Sequence, residues 1–382
     1  MKKLLYLSFL GLTPNDLGVM KKMDFQTKTL RELGLNVEAV VCTLADYQVG
    51  QKFDHLEYEK IDNTSSAVKR IDYFFRKWEK IERIVAARRP DRILIRYPVG
   101  QIFMGHFLKR YGAITVTDHQ TKELSEMNLF GVSRREKMLN LFERNYGAKW
   151  LRKTGGIVGV TQEIVDYELA RIGTVKPHKV ISNGANVSEI NFRPNPDYNG
   201  KELNMIFVGG SDHPWHGIER VLDGLAVYKG ASPKIQLHLV GDYERLRPLA
   251  AKSGIADRVV FHGFLNGREL DEIFARMHVA VGTLALHKKN MRQACPLKVR
   301  EYAARGIPFV IAYDDVDISP DWPLCLRFPA DDSPLDMEKL VDWAGRVLRD
   351  NGSSPEVRRY AETRMDWKIK MADLKDFLER MS

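Results

Sequence analysis

"NMIFVGGSDHPWHGIERVLDGLAVY", residues 204–228, is the stretch on which the fold of this chain turns. An apolar run of strand length ends in Gly209 and Gly210, a short turn follows, and from Gly217 the apolar residues recur at helical spacing. Strand, glycine-rich turn and helix make the βα unit of a parallel sheet covered by helices. The two glycines permit a tight turn, and the amides at a helix start near Gly217 suit a phosphate. The stretch is not a Walker loop, because the GK[ST] ending is absent, and it is not GxGxxG. His216 is either a donor to phosphate oxygens or a plain turn residue, and His213 reads first as a surface residue facing water, with a phosphate contact as the alternative.

The same alternation extends in both directions. Toward the C-terminus, strands are expected at 235–242, 258–263, 279–284, 308–313 and 324–328. Toward the N-terminus they are expected at Leu4–Phe9, Val37–Val41, Arg92–Arg96, Ile114–Thr117, Ile157–Val160 and Val180–Ile181. Helical patterns lie between, at Val19–Leu33, Ala67–Ala87, Ile102–Arg110, Arg134–Leu151 and Gln162–Ile172. The polar stretch "RPNPDYNGKE" (193–202) separates the two series. A chain of 382 residues exceeds the size at which one core keeps growing, so two α/β domains of similar size are expected. In such open sheets, ligands bind outside the carboxyl ends of the strands.

Hydrophobic residues at 44% and charged residues at 29% exclude disordered and fibrous classes. The formal net charge of +9 favours an anionic partner: nucleic acid, a phosphorylated substrate or a membrane surface. Nucleic acid is set aside, since the basic residues lie among parallel-sheet patterns without a recognised binding module. Cys42, Cys295 and Cys325 have no metal-ligand spacing and are expected to be buried thiols in a reducing compartment. The opening "MKKLLYLSFLGLTPND" fits a first buried strand better than a signal peptide, and no stretch is long and apolar enough to span a membrane.

"ACPLKVREYAARGIPFVIA" (294–312) carries the densest chemistry. Pro296 marks a helix start and Gly306 its end; Lys298 and Glu301, three apart, share a face. Glu301 either complements the helix dipole or accepts bonds from vicinal hydroxyls, while Lys298 meets phosphate. Upstream, "GTLALHKKNMRQ" (282–293) gathers His287, Lys288, Lys289 and Arg292 on a loop leaving a strand. In the first half, "VTDHQTKELSE" (116–126) places His119 just beyond a strand, with Asp118, Lys122 and Glu123 as weaker candidates. Arg96 and Tyr97 end another strand, and "LTPNDLGVMKKMD" (12–24) brings Gly18 into the first βα loop.

With these stretches in view, together with "VISNGANVSEINFRP" (180–194) and "DRVVFHGFLNGRELDEIFARMHVAV" (257–281), the chain resembles the retaining, nucleotide-sugar-dependent glycosyltransferase family 4. The resemblance covers nearly the whole second half, and the first half matches by layout. It implies the GT-B fold, with two facing Rossmann-like domains and a cleft between them. Residues 1–184 would bind the acceptor and 185–365 the nucleotide sugar, with 366–382 a closing helix that crosses back to the first domain. By motif position Glu301 would hold the ribose hydroxyls, and the amides near Leu297 and Lys298 would approach the donor phosphates. Gly18, Gly209, Gly210, His216 and Arg292 complete the expected donor-binding set. His119, Gln293 and Lys298 form the expected catalytic set, with His119 facing the transferred sugar.

The resemblance further implies hexosyl transfer to a hydroxyl of a glycan or polyprenyl-diphosphate-linked acceptor in bacterial envelope or extracellular polysaccharide synthesis. No metal and no cofactor beyond the donor are expected, and the setting would be cytoplasmic, peripheral at the inner face of the membrane. The basic, aromatic stretch 68–92 and the lysines of the first helix would seat the chain on anionic lipid, or else form an ordinary solvated face over a core. Two departures stand out. Gln293 occupies the place of the family's first glutamate, and Gly210 and His216 occupy the places of its diphosphate Arg and Lys. Other readings are another GT-B enzyme, such as a sugar epimerase or glycogen-type synthase, and a non-catalytic sugar-nucleotide-binding protein.

Overall fold

Continuous apolar runs such as Leu4–Leu7 and Val40–Cys42 are what a strand covered on both faces requires, and these residues are at most 2% exposed. The computed structural model describes residues 1, 3–10, 16–43, 53–60, 67–130, 133–192, 194–349 and 353–381. Two compact units emerge: Met1–Ser182 with Trp367–Ser382, and Asn183–Asp366.

In the first unit the strands are β1 (Lys3–Phe9), β2 (Asn36–Thr43), β3 (Leu56–Lys60), β4 (Arg92–Arg96), β5 (Thr115–His119), β6 (Gly156–Gly159) and β7 (His178–Val180). They form one sheet in the order β3-β2-β1-β4-β5-β6-β7, with every pairing parallel. Helices Leu17–Glu32, Ala67–Arg88, Met104–Tyr111 and Gln162–Ile172 connect them. The closing helix, Trp367–Arg380, packs on Leu17–Glu32; Lys22 Nζ lies 6.0 Å from the centre of the Trp367 ring, and Lys375 Nζ donates to the Leu33 carbonyl at 3.0 Å.

The second unit repeats the plan with β8 (Glu202–Ser211), β9 (Lys234–Asp242), β10 (Val259–Gly263), β11 (Val279–Val281), β12 (Gln293–Ala294), β13 (Phe309–Ile311), β14 (Asp314–Asp315) and β15 (Cys325–Arg327). Six of these make a parallel sheet ordered β10-β9-β8-β11-β13-β15, and β12 pairs with β14 separately. Phe207, Leu237 and Phe309 are fully buried, each worth about 1.5–3 kcal/mol of transfer free energy for an apolar side chain of this size. In each unit the strand order reverses beside the first strand, between β1 and β4 and between β8 and β11. That switch point is where open α/β sheets bind ligands.

Several elements differ from the sequence expectation. β3 was not expected, because "LEYEK" is half-exposed and charged; it is an edge strand whose Glu57, with Glu38 of β2, pairs with Arg88 at 2.8 Å each. The helix expected over Arg134–Leu151 is interrupted by a π-turn at Glu143–Gly147, which turns Glu143 inward. Tyr73, Phe74 and Phe75 of the basic stretch lie outside the described side chains, while Trp78 is core. The three cysteines are buried and free. No helix among the described residues is long and apolar enough to cross a membrane.

Candidate functional site

At the carboxyl end of β8, the backbones of β8 and β9 come unusually close. A Cβ on Gly241, whose φ is +124°, would lie 1.7 Å from the Gly209 carbonyl oxygen. A Cβ on Gly209 would lie 2.3 Å from the Tyr243 hydroxyl and 3.3 Å from Lys298 Nζ. The glycine run therefore leaves room for two polar side chains that arrive from other elements. Gly209→Ala is expected to displace both and cost about 1–3 kcal/mol of stability, read as a lower denaturation midpoint with an unchanged slope. Gly210, next along, is exposed.

Lys298 reaches this exit from the first turn of helix Leu297–Arg305, which follows Pro296. Its Nζ is buried, lies 3.6 Å from the centre of the Phe207 ring, and has no hydrogen-bond partner among the described residues. Burial alone holds its pKa well below the ordinary lysine range. The face of Phe207 offers the ammonium partial compensation and no countercharge. The intrahelical bonds begin with Val299 N–H to the Pro296 carbonyl, so the amides of Leu297 and Lys298 precede them.

His216 is the second basic group here, 7% exposed, its ring centre 5.1 Å from that of Phe207 and its Nδ1 3.5 Å from the Tyr243 hydroxyl. Burial first, then the positive charges of Lys298, His213 and Lys289, push its pKa far down. The turn that carries it is pinned to the residues leaving β11: Leu284 N–H donates to the His216 carbonyl at 2.9 Å, and Ala285 N–H to that of Trp215 at 3.1 Å. Buried Arg220 fastens the following helix, donating to the Ser333 carbonyl at 2.7 Å, the Pro329 carbonyl at 3.0 Å and Asp331 Oδ1 at 2.9 Å, and also to the Leu284 carbonyl.

The other loop cations are occupied differently. His287 and Lys288 both face Asp332 at 3.2 Å, and Lys289 lies 4.6 Å from the centre of the Trp215 ring, which stacks on His213. Arg292 is exposed. The switch point of this unit thus holds the buried Lys298 Nζ and a buried imidazole beside first-turn amides, with no carboxylate bonded to that nitrogen among the described residues. Such a set accepts an anion.

Glu301 lies one turn beyond Lys298. Arg305 Nε and Nη2 both bond its Oε1, at 3.0 and 2.8 Å, while Arg305 Nη1 bonds Asp271 at 2.6 Å; Oε2 of Glu301 carries neither bond. Gln293 sits on β12 in register with Asp314 of β14. That ladder is braced from below by Arg300, which is fully buried and bonded to the Asn183 carbonyl at 2.9 Å, to Asp315 Oδ1 at 2.7 Å and to Asp317 at 2.5 Å.

In the first unit, Gly18 is exposed near the start of helix Leu17–Glu32, and residues 11–15 ahead of it lie outside the described residues. His119 ends β5 but is 0% exposed, with Nδ1 2.9 Å from Glu123 Oε1 and Nε2 3.0 Å from Thr117 Oγ1. Both ring nitrogens thus face partners of the same unit. Tyr97 stacks on the imidazole with ring centres 4.5 Å apart and donates to Glu143 at 2.7 Å. Among the residues not anticipated, Arg305 was legible as the i+4 partner of Glu301. Tyr243 and Arg220 act through long-range packing that carries no local signal.

Two all-parallel sheets of Rossmann strand order in one chain find close counterparts among solved structures. A glycosyltransferase from Rickettsia africae matches with a TM-score of 0.70 at 11% identity, covering 100% of this chain and 98% of that one. The fold is GT-B. Lipopolysaccharide outer core galactosyltransferase WaaB, in its apo form, matches this GT-B chain with a TM-score of 0.68 at 12% identity over 99% of both chains. Anabaena HepE, solved in complex with UDP and glucose, gives 0.68 at 14% identity over 100% of both. Residues 202–319 match the family described as Glycosyl transferases group 1. That segment of the GT-B chain contains Gly209, His216, Lys298 and Glu301. No curated protein matches by sequence. Fold and family match are those of GT-B glycosyltransferases.

Proposed function

We propose that this protein is a retaining, metal-independent glycosyltransferase that moves a hexosyl unit from a nucleoside diphosphate sugar to a hydroxyl of a glycan or lipid-linked acceptor. The observation that carries the reading is the buried Lys298 Nζ, which has no hydrogen-bond partner among the described residues, at the β8 exit. The segment matched to the glycosyltransferase family and the UDP and glucose bound by HepE support the same ligand class.

In this mechanism Lys298 and His216 meet the diphosphate, together with the amides of Leu297 and Lys298. They stabilise the charge that grows on the leaving phosphate, which is the usual source of the largest rate effect. Glu301, held through Oε1 by Arg305, turns Oε2 to the ribose hydroxyls. Gln293 bonds hydroxyls of the transferred sugar and brings no charge to the oxocarbenium-like centre. The acceptor attacks from the face the phosphate leaves, and a phosphate oxygen takes its proton. His119 holds the end of β5 through Glu123 and Thr117. The acceptor class, contact with anionic lipid and a cytoplasmic, membrane-peripheral setting belong to the same reading.

Arg305→Gln is expected to weaken nucleotide binding about fivefold, roughly 1 kcal/mol for loosened positioning of Glu301, measured by calorimetry. Gln293 favours a second reading, a sugar-nucleotide-binding protein without transferase activity. The test is a screen of UDP-, GDP-, ADP- and dTDP-sugars for binding, donor hydrolysis and transfer, with Glu301→Ala as control. Binding and turnover that Glu301→Ala abolishes support transfer; binding without hydrolysis or transfer favours the second reading.

A further inference from the structure

β5 of the first unit ends in His119, and two helices each bring a carboxylate to its imidazole: Glu123 from Glu123–Phe130 and Glu168 from Gln162–Ile172. The three residues are 0%, 4% and 0% exposed, in that order. His119 Nδ1 is 2.9 Å from Glu123 Oε1 and 3.8 Å from Glu168 Oε1, and one ligand atom from each residue lies within 4.8 Å of the others. On the far side of the ring, Nε2 faces Thr117 Oγ1 at 3.0 Å, while that hydroxyl turns toward the Gly156 carbonyl at 3.5 Å. In the tautomer with Nε2 donating to Thr117, Nδ1 turns a lone pair toward the carboxylates; in the other, Nδ1–H donates to Glu123.

In the first tautomer, with both carboxyl groups ionised, three acceptor atoms face one another and repel unless a cation or a proton lies among them. The nearest fixed cation does not fill that role. Arg171 pairs with Glu143 Oε1 at 2.7 Å and with Glu168 through Oε2, 2.9 Å away. Among the described residues no nitrogen or hydroxyl donor reaches Glu168 Oε1 or Glu123 Oε2, and the two carboxyl groups lie close enough to share a proton. One guanidinium serves three buried carboxylates, so the cluster is short of positive charge.

We infer that His119 Nδ1, Glu123 and Glu168 form a binding site for one divalent cation of the zinc, manganese or iron(II) class. One imidazole and two carboxylates suit such ions at about 2.0–2.2 Å per ligand atom, which sets neighbouring ligand atoms roughly 3–4 Å apart. The separations of 2.9 and 3.8 Å fall in that range. Thr117 supplies the outer hydrogen bond that fixes the ligand tautomer. With Arg171, a divalent ion neutralises the three carboxylates. The site is closed and shares no residue with the proposed donor site, so the ion ties the end of β5 to two helices and takes no part in transfer. The competing state is a shared proton: without an ion, burial raises Glu123 to about 7 and Glu168 to about 8.

The test uses the full chain stripped with EDTA and dialysed, then titrated by calorimetry with Zn²⁺, Mn²⁺ and Co²⁺ in turn, with Mg²⁺ as a hard-ion control. The expected result is one equivalent bound, a higher melting temperature, and visible absorption bands for Co²⁺. Thr117→Val, a near-isosteric change outside the ligand set, should lower affinity about 10–100-fold. Glu168→Gln should remove binding with an unchanged far-ultraviolet spectrum. Absence of stoichiometric binding to the wild-type chain overturns the inference, as does binding of equal strength in both variants. If Glu168→Gln does not fold, the wild-type and Thr117→Val titrations decide.

Discussion

Lys298→Met is expected to melt higher than the unmodified protein in the absence of ligand, yet bind the donor nucleotide about 100–1000-fold more weakly, roughly 2.8–4.1 kcal/mol. Both effects come from one atom. The Lys298 Nζ is buried over the Phe207 ring with no hydrogen-bond partner among the described residues, so folding removes its water and returns a cation–π contact at 3.6 Å. Methionine keeps the length and apolar contact of the side chain and removes the desolvated amine, whose burial is a cost whether it is met as buried charge or as the depressed pKa. A gain of about 1 kcal/mol would raise the melting temperature of a unit this size by about 2–4 °C. A bound diphosphate reverses the balance, because the ammonium then has its counterion. A residue that lowers stability without ligand and is needed with it belongs to a binding site. Thermal melts and calorimetric titrations of the two proteins check both halves.

Donor binding is also expected to take up protons, and affinity to rise as pH falls. Burial depresses the pKa of Lys298, and burial with three neighbouring positive charges depresses that of His216. A diphosphate placed against them raises both again. Each group whose pKa rises on binding holds more protons in the complex than in the free protein, so the complex is favoured at lower pH. For Lys298 the effect acts between its depressed value and the ordinary lysine range. For His216 it acts below the ordinary histidine range. Within either window affinity changes by up to about tenfold per pH unit for each group. Titrations in buffers of differing ionisation enthalpy should give a positive proton uptake that Lys298→Met reduces; zero uptake would count against the two groups as phosphate contacts.

Both sheets were legible because buried parallel strands read as unbroken apolar runs, and 204–228 announced one of them within a single βα unit. β3 was not, since an edge strand alternates charges that find partners only across the sheet, here Arg88. The ladder of β12 and β14 was hidden for another reason. Two residues carry no periodicity, and the pairing depends on Arg300 bonding Asp315 and Asp317. In the site, Lys298 and Glu301 stood at recognisable helix positions. Sequence could not show that Lys298 is without a partner while Lys288 is paired with Asp332, because that difference arises from packing. His119 was legible as a strand-end histidine, and its burial was not: Glu168, one of the two carboxylates facing it, comes from the helix after the next strand.

The most direct test of the central claim is a calorimetric titration of the intact protein with UDP-, GDP-, ADP- and dTDP-sugars, repeated on Lys298→Met and Glu301→Ala. One nucleotide class should bind, with affinity falling steeply in both variants. Absence of binding to all four, or binding of equal strength in both variants, would contradict a donor site at the β8 exit.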